Sequence, residues 1–193
     1  MTGRQHIFAG TCVSAGMVLG GHPIDAAVAG ILLGSLFPDI DSRTSTLGLL
    51  FPSASGAART ISGHRGFTHS IVFEVIIAAI AAYYRDSFLY GLFFGTLFHV
   101  LLDCFTGSGI RFFFPSKRKL KIFGVKSGKF LSWLITWSLA MLGFAAAFVF
   151  FGEMSGSPVY AAAKEVVKKL PDLPACARET WQIIEHCINK MLC

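Results

Sequence analysis

Histidine and aspartate recur in four short strings of this 193-residue chain. His6 precedes an apolar run, and Asp39 and Asp41 close the string Leu33-Gly-Ser-Leu-Phe-Pro-Asp-Ile-Asp41. His64 and His69 frame His64-Arg-Gly-Phe-Thr-His-Ser70, and His99 and Asp103 bound His99-Val-Leu-Leu-Asp103. All seven are metal-ligand types beside apolar sequence, where imidazoles and carboxylates are expensive to hold unless something binds them. A divalent cation is the simplest compensation for so many of them.

Spacing sharpens this expectation. His99 and Asp103 are i and i+4, so a helix presents both on one face. Alone the pair is weak evidence, because a core histidine followed by a capping aspartate gives the same pattern. Pro38 disfavours helix at the residue before it, so Asp39 and Asp41 are expected in a turn, where carboxylates two apart can converge. Gly66 permits a tight fold between His64 and His69. Arg65 has the planar fork that grips phosphate or carboxylate, and Thr68 is a candidate N-cap for the next helix. Glu74, one turn past Ser70, is an acid inside an apolar segment and a suspect for proton transfer or for pairing with Thr96 or Arg85.

The elements that must position these groups are apolar. Hydrophobic residues make up 53% of the chain and charged residues 15%, and the mean hydropathy is +0.60. That composition fits an integral membrane protein. The stretch 130–152 carries no charge and is long enough to cross the hydrocarbon layer, which takes about 20 residues. Residues 88–105 form a second candidate. Segments 7–21, 24–37 and 71–84 are apolar but shorter. The N-terminus lacks the shape of a signal peptide and is read as retained. The expected fold is therefore all-α: a polytopic membrane bundle of four to five apolar helices, with the metal site at one membrane face. Residues 1–152 form the embedded domain and 153–193 a short tail with a helix near 176–191.

Charge sets the orientation. Arg111, Lys117, Arg118, Lys119, Lys121, Lys126 and Lys129 stand without an acid, leaving ten cations against eleven acids elsewhere. Such a loop is cytoplasmic by the positive-inside rule. Counting segments back from it brings His6, Asp39, Asp41, His64, His69, His99 and Asp103 to the same cytoplasmic side, although none of them entered the charge argument. The tail falls outside, where two of Cys176, Cys187 and Cys193 can form a disulfide. Cys12 and Cys104 read as small core residues. Nucleic acid is not the expected partner of the basic loop, whose aromatics Phe112 to Phe114 form a single block; anionic lipid headgroups are.

Taken in order, His6, Gly34-Ser-Leu-Phe-Pro-Asp-Ile-Asp41, His64-Arg-Gly-Phe-Thr-His-Ser70, His99-Val-Leu-Leu-Asp103 and the glycine-to-proline stretch 107–115 resemble the YdjM family of bacterial membrane-bound metal-dependent hydrolases. The resemblance covers roughly residues 1–130 and implies a multi-pass protein of the bacterial inner membrane. A more distant likeness is to the zinc-dependent phospholipase C and P1 nuclease group. It implies that His64, His99, Asp103 and one of Asp39 or Asp41 hold one ion, and that His6 joins Asp103 at another.

The resulting expectation is a membrane-bound hydrolase that cleaves a phosphoester of a lipid headgroup with metal-activated water. Asp41 or Asp39 accepts the proton and Arg65 stabilises developing charge. Zinc suits the histidine content, and manganese or magnesium a carboxylate-rich variant. The alternative is a non-catalytic membrane protein with a structural or regulatory metal. An ion transporter fits less well, because the polar residues crowd at one side and no string of acids runs through 130–152.

Overall fold

The computed structural model describes residues 1–62, 66–116 and 118–169. Local sequence chemistry explains where its helices begin and end. Thr2 and Gln5 form a capping box that starts α1 (Gly3–Leu19), with the Thr2 backbone N–H donating to Gln5 Oε1 at 2.9 Å. Asp25 caps α2 (Ala26–Gly34) by accepting from the Ala27 N–H. Pro38 then turns the chain into a 3-10 segment, Phe37–Asp41. Two short helices follow, α3 (Thr46–Leu50) and α4 (Pro52–Ser62). A second 3-10 turn, Phe67–His69, leads into α5 (Ile71–Tyr84). Asp86 caps α6 (Ser87–Cys104), and α7 (Phe130–Ser155) ends at Gly156 in the left-handed conformation. The last described helix is α8 (Pro158–Lys169). Among the described residues there is no strand, only isolated bridges in the loop between α6 and α7.

The all-helical expectation therefore holds at the level of fold class. Among the described residues only α6 and residues 130–153 of α7 are long and apolar enough to cross a membrane. At about 1.5 Å per residue against a layer about 30 Å thick, the nine residues of α2 reach less than halfway. The stretch 24–37, expected as one apolar segment, is divided between a capped turn, this short helix and the 3-10 segment.

Short helices are fixed by packing rather than length. Helix α2 lies against α6 so closely that a Cβ on Gly34 would stand 2.4 Å from the Leu92 carbonyl oxygen, and one on Gly95 2.4 Å from that of Ile31. Small residues four apart on both helices, Gly30 and Gly34 against Gly91 and Gly95, permit backbone contact of the kind that holds helices together where water supplies no driving force. Helix α1 pairs with α7, and Ser155 and Ser157 tie the far end of α7 to the Gly20 and Leu19 carbonyls. At the opposite end Gln5 donates to Ser132 at 3.0 Å, both buried. These two tight pairs bring His6 on α1, the turn after α2 and the end of α6 to one point.

Candidate metal centre

His99 and Asp103 occupy successive turns of α6, both buried, as their spacing predicts. Nδ1 of His99 donates to the Ser35 carbonyl at 2.7 Å, which leaves Nε2 as the lone-pair nitrogen facing inward. Ser35 is the C-cap of α2, so the glycine-mediated contact between α2 and α6 is what aims this ring.

Four residues converge. Asp39, His69, His99 and Asp103 each offer one ligand atom, and these atoms lie within 4.8 Å of one another. Nε2 of His69 is 3.8 Å from Asp39 Oδ1 and 3.6 Å from Asp103 Oδ2. Nε2 of His99 is 3.8 Å and 3.9 Å from the same two oxygens. A tetrahedral site with bonds of about 2.1 Å has edges of about 3.4 Å, so the four His–Asp edges stand within about half an ångström of that geometry, and the widest separation in the set, within 4.8 Å, closes further on an ion. Nε2 of His69 and of His99 are buried with no hydrogen-bond partner among the described residues. Buried ring nitrogens are normally satisfied, and a cation between them and two carboxylates would satisfy both. The donor set fits a divalent metal.

Around this quartet the remaining residues take distinct places. Asp41, fully buried, lies behind His69, with Oδ2 3.6 Å from Nδ1. Thr68 Oγ1 lies 2.9 Å from the Pro38 carbonyl and 3.1 Å from Asp41 Oδ2, donating toward both, and 3.2 Å from His69 Nδ1. Thr68 is thus not the N-cap of α5. Ser70 is, accepting from the Phe73 N–H at 3.2 Å, because Thr68 is drawn into the site. Burial alone would lower the basicity of His69; the Asp103 and Asp41 carboxylates outweigh it and push its pKa up to about 9.

His6 stacks on His99, with ring centroids 3.7 Å apart and planes 12° from parallel. Its Nε2 is 3.4 Å from Asp103 Oδ1, and neither ring nitrogen has a hydrogen-bond partner among the described residues. The amino group of Met1 donates to the same Asp103 oxygen, fully enclosed. Glu74 is buried in α5 and accepts from Thr96 at 3.0 Å, the pairing with Thr96 rather than Arg85.

The structure therefore brings together His6, Asp39, Asp41, His69, His99 and Asp103. His69, a metal-ligand candidate by residue type, stands in the quartet with Asp39. His64 and Arg65, together with the tail cysteines and the helix expected near 176–191, lie outside the described residues. Two contributors were not visible from residue types: the Ser35 carbonyl, because a backbone acceptor leaves no mark in sequence, and the Thr68 hydroxyl, which looked like a cap.

Fold and site define a class: an all-helical, membrane-type protein with a buried histidine–aspartate centre able to hold a divalent ion. The chain belongs to the YdjM inner membrane protein family, whose profile matches residues 1–163. It is 35% identical to the uncharacterised protein YvsG of Bacillus subtilis over 156 residues, 78% of this chain and 95% of that protein. It is 31% identical to the inner membrane protein YdjM of Escherichia coli over 104 residues, 49% of this chain and 52% of that one. No solved structure matches the chain significantly.

Proposed function

We propose that this protein is a multi-pass, metal-dependent hydrolase of the bacterial inner membrane that cleaves a phosphoester of a lipid headgroup at the cytoplasmic face. The observation that carries the reading is the quartet Asp39, His69, His99 and Asp103, with two buried imidazole nitrogens aimed at its centre. When bound, a divalent cation polarises a phosphoryl oxygen and lowers the pKa of water toward neutrality. Zinc suits the mixed histidine and carboxylate set, with manganese or magnesium as the oxygen-preferring alternatives.

The protein's own groups have separable tasks. The Ser35 carbonyl orients His99, and Asp41 with Thr68 orients His69, as partners behind ligands generally do. His6, with Nε2 3.4 Å from Asp103 Oδ1, is assigned to share that carboxylate with a second ion, which would displace the Met1 amino group from the same oxygen. Asp39 is the quartet member whose side chain reaches the surface, 12% exposed against 0% for Asp41, so with Oδ1 turned to the ion its second carboxylate oxygen is assigned proton acceptance. Arg65 is assigned, from its sequence position, to stabilising the charge that develops on phosphate. The domain of residues 1–152 holds all of these, and 153–193 is the accessory tail.

One observation favours a second reading, a structural or regulatory metal. His69, His99 and Asp103 are wholly enclosed, and a closed four-ligand shell leaves no position for water. The two separate experimentally. Purified protein loaded with zinc, manganese or magnesium is assayed against phospholipids and generic phosphodiesters, with Arg65→Ala as comparison. Turnover that disappears in Arg65→Ala while the metal stays bound supports hydrolysis. Bound metal without turnover on any phosphoester supports the structural role.

A further inference from the structure

No acid occurs between Asp103 and Glu153, and seven cations fall in residues 111–129. In sequence this reads as a loose basic loop. In the structure it is folded and pinned to the metal end of the bundle. The Ile122 N–H donates to the Cys104 carbonyl at 2.8 Å and the Val125 N–H to that of Phe105 at 3.0 Å, so the loop caps the C-terminal end of α6. Ile110 and Leu120 exchange both backbone bonds, at 3.0 and 2.8 Å, and the Ile71 N–H donates to Phe112 at 2.9 Å. Ile110 and Val125 are buried beneath the loop, while Phe113, Ile122 and Phe123 are exposed, Phe123 by 73%. Lys119, Lys121 and Lys126 are exposed on the same loop.

Large apolar side chains held outward on an ordered backbone mark a contact surface, and here exposed cations share their loop. Aromatic residues among lysines are the pattern of segments that lie in the headgroup layer, the rings entering the acyl boundary and the ammonium groups meeting phosphate. Position agrees. The loop begins where one candidate spanning helix ends and finishes where the other starts, which sets it at the level of one leaflet surface. We propose that residues 106–116 and 118–129 form a preformed seat for acidic phospholipid headgroups, with Phe113, Ile122 and Phe123 as the inserted side chains and Lys119, Lys121 and Lys126 as the phosphate contacts. This rests on the membrane placement proposed above, not on hydrolysis.

The test uses the full chain purified in detergent and supplied with phosphatidylglycerol or phosphatidylcholine, with retained lipid counted by native mass spectrometry. Phosphatidylglycerol should be retained at least about tenfold better, and salt should erode the preference because surface charges are screened. The variant Lys119→Gln/Lys121→Gln/Lys126→Gln should lose the preference with its helicity and metal content unchanged, and Phe123→Ser should weaken retention of both lipids. Equal retention of the two lipids overturns the proposal, as does a triple variant with undiminished preference. So does displacement of phosphatidylglycerol by an oligonucleotide, which would mark a nucleic-acid surface. Metal content measured on the same samples keeps the two proposals apart, since either can fail while the other stands.

Discussion

The functional residues act in layers, and Thr68 shows how. Its hydroxyl meets the Pro38 carbonyl, Asp41 and His69 at once, joining the two 3-10 turns that deliver Asp39 and His69. Thr68→Val keeps the shape and removes these contacts. Metal affinity should fall about 10- to 100-fold, the usual consequence of losing a ligand's supporting partner, as measured by competition with a chelator. The proton on His69 gives a second prediction. Its pKa of about 9 in the metal-free protein means the ring is protonated at neutral pH and must lose that proton to become a ligand. Affinity should therefore rise with pH, by up to about tenfold per unit well below pH 9, and level off above it. Calorimetry in buffers of different ionisation enthalpy should detect at least one proton released per ion; a pH-independent affinity would remove His69 from the ligand set.

At the scale of elements, the α2–α6 contact carries the site, because Ser35 and the Phe37–Asp41 turn follow directly from α2. Gly95→Ala would gain about 1 kcal/mol in helix propensity, but its Cβ meets the Ile31 carbonyl at 2.4 Å, a backbone atom that cannot step aside. Overpacking costs about 1–3 kcal/mol, so the substitution should lower the melting temperature and the bound metal together. Gly56→Ala in α4, whose nearest neighbour is the end of the Arg43 side chain at 3.4 Å, should do neither. Legibility in sequence divides along the same line. The face shared by His99 and Asp103, the turn at Pro38 and the apolar runs of α6 and α7 follow from local rules and were readable. The choice of Ser70 over Thr68 as cap was not, since both residues cap well and a tertiary contact decided between them. Nor was the breaking of 24–37 into pieces, because apolar composition records burial without saying whether lipid or another helix does the covering.

For the whole molecule, the central question is which side of the membrane holds the site. In the proposed topology the cations on the α6–α7 loop put it inside by the positive-inside rule, and α7 carries α8 to the other face. In a background with the native cysteines replaced by alanine, Lys126→Cys should be protected in intact cells from an impermeant thiol reagent and Val166→Cys should react. Both side chains are exposed on the protein surface, so the contrast would report the membrane and not burial. The reverse pattern would move the metal centre to the external leaflet and change the pool of headgroups it meets.

The proposed hydrolysis by this protein depends on the metal centre, and metal content tests that centre most directly. After equilibration with zinc and removal of excess, elemental analysis should find at least one ion per chain in the parent protein and in His22→Ala, a surface histidine far from the quartet in sequence. His69→Ala, His99→Ala and Asp103→Ala should each lose it while remaining helical by circular dichroism. A parent protein that retains no zinc, manganese or magnesium, or a His99→Ala variant that binds as much as the parent, would contradict the metal centre and with it the case for hydrolysis.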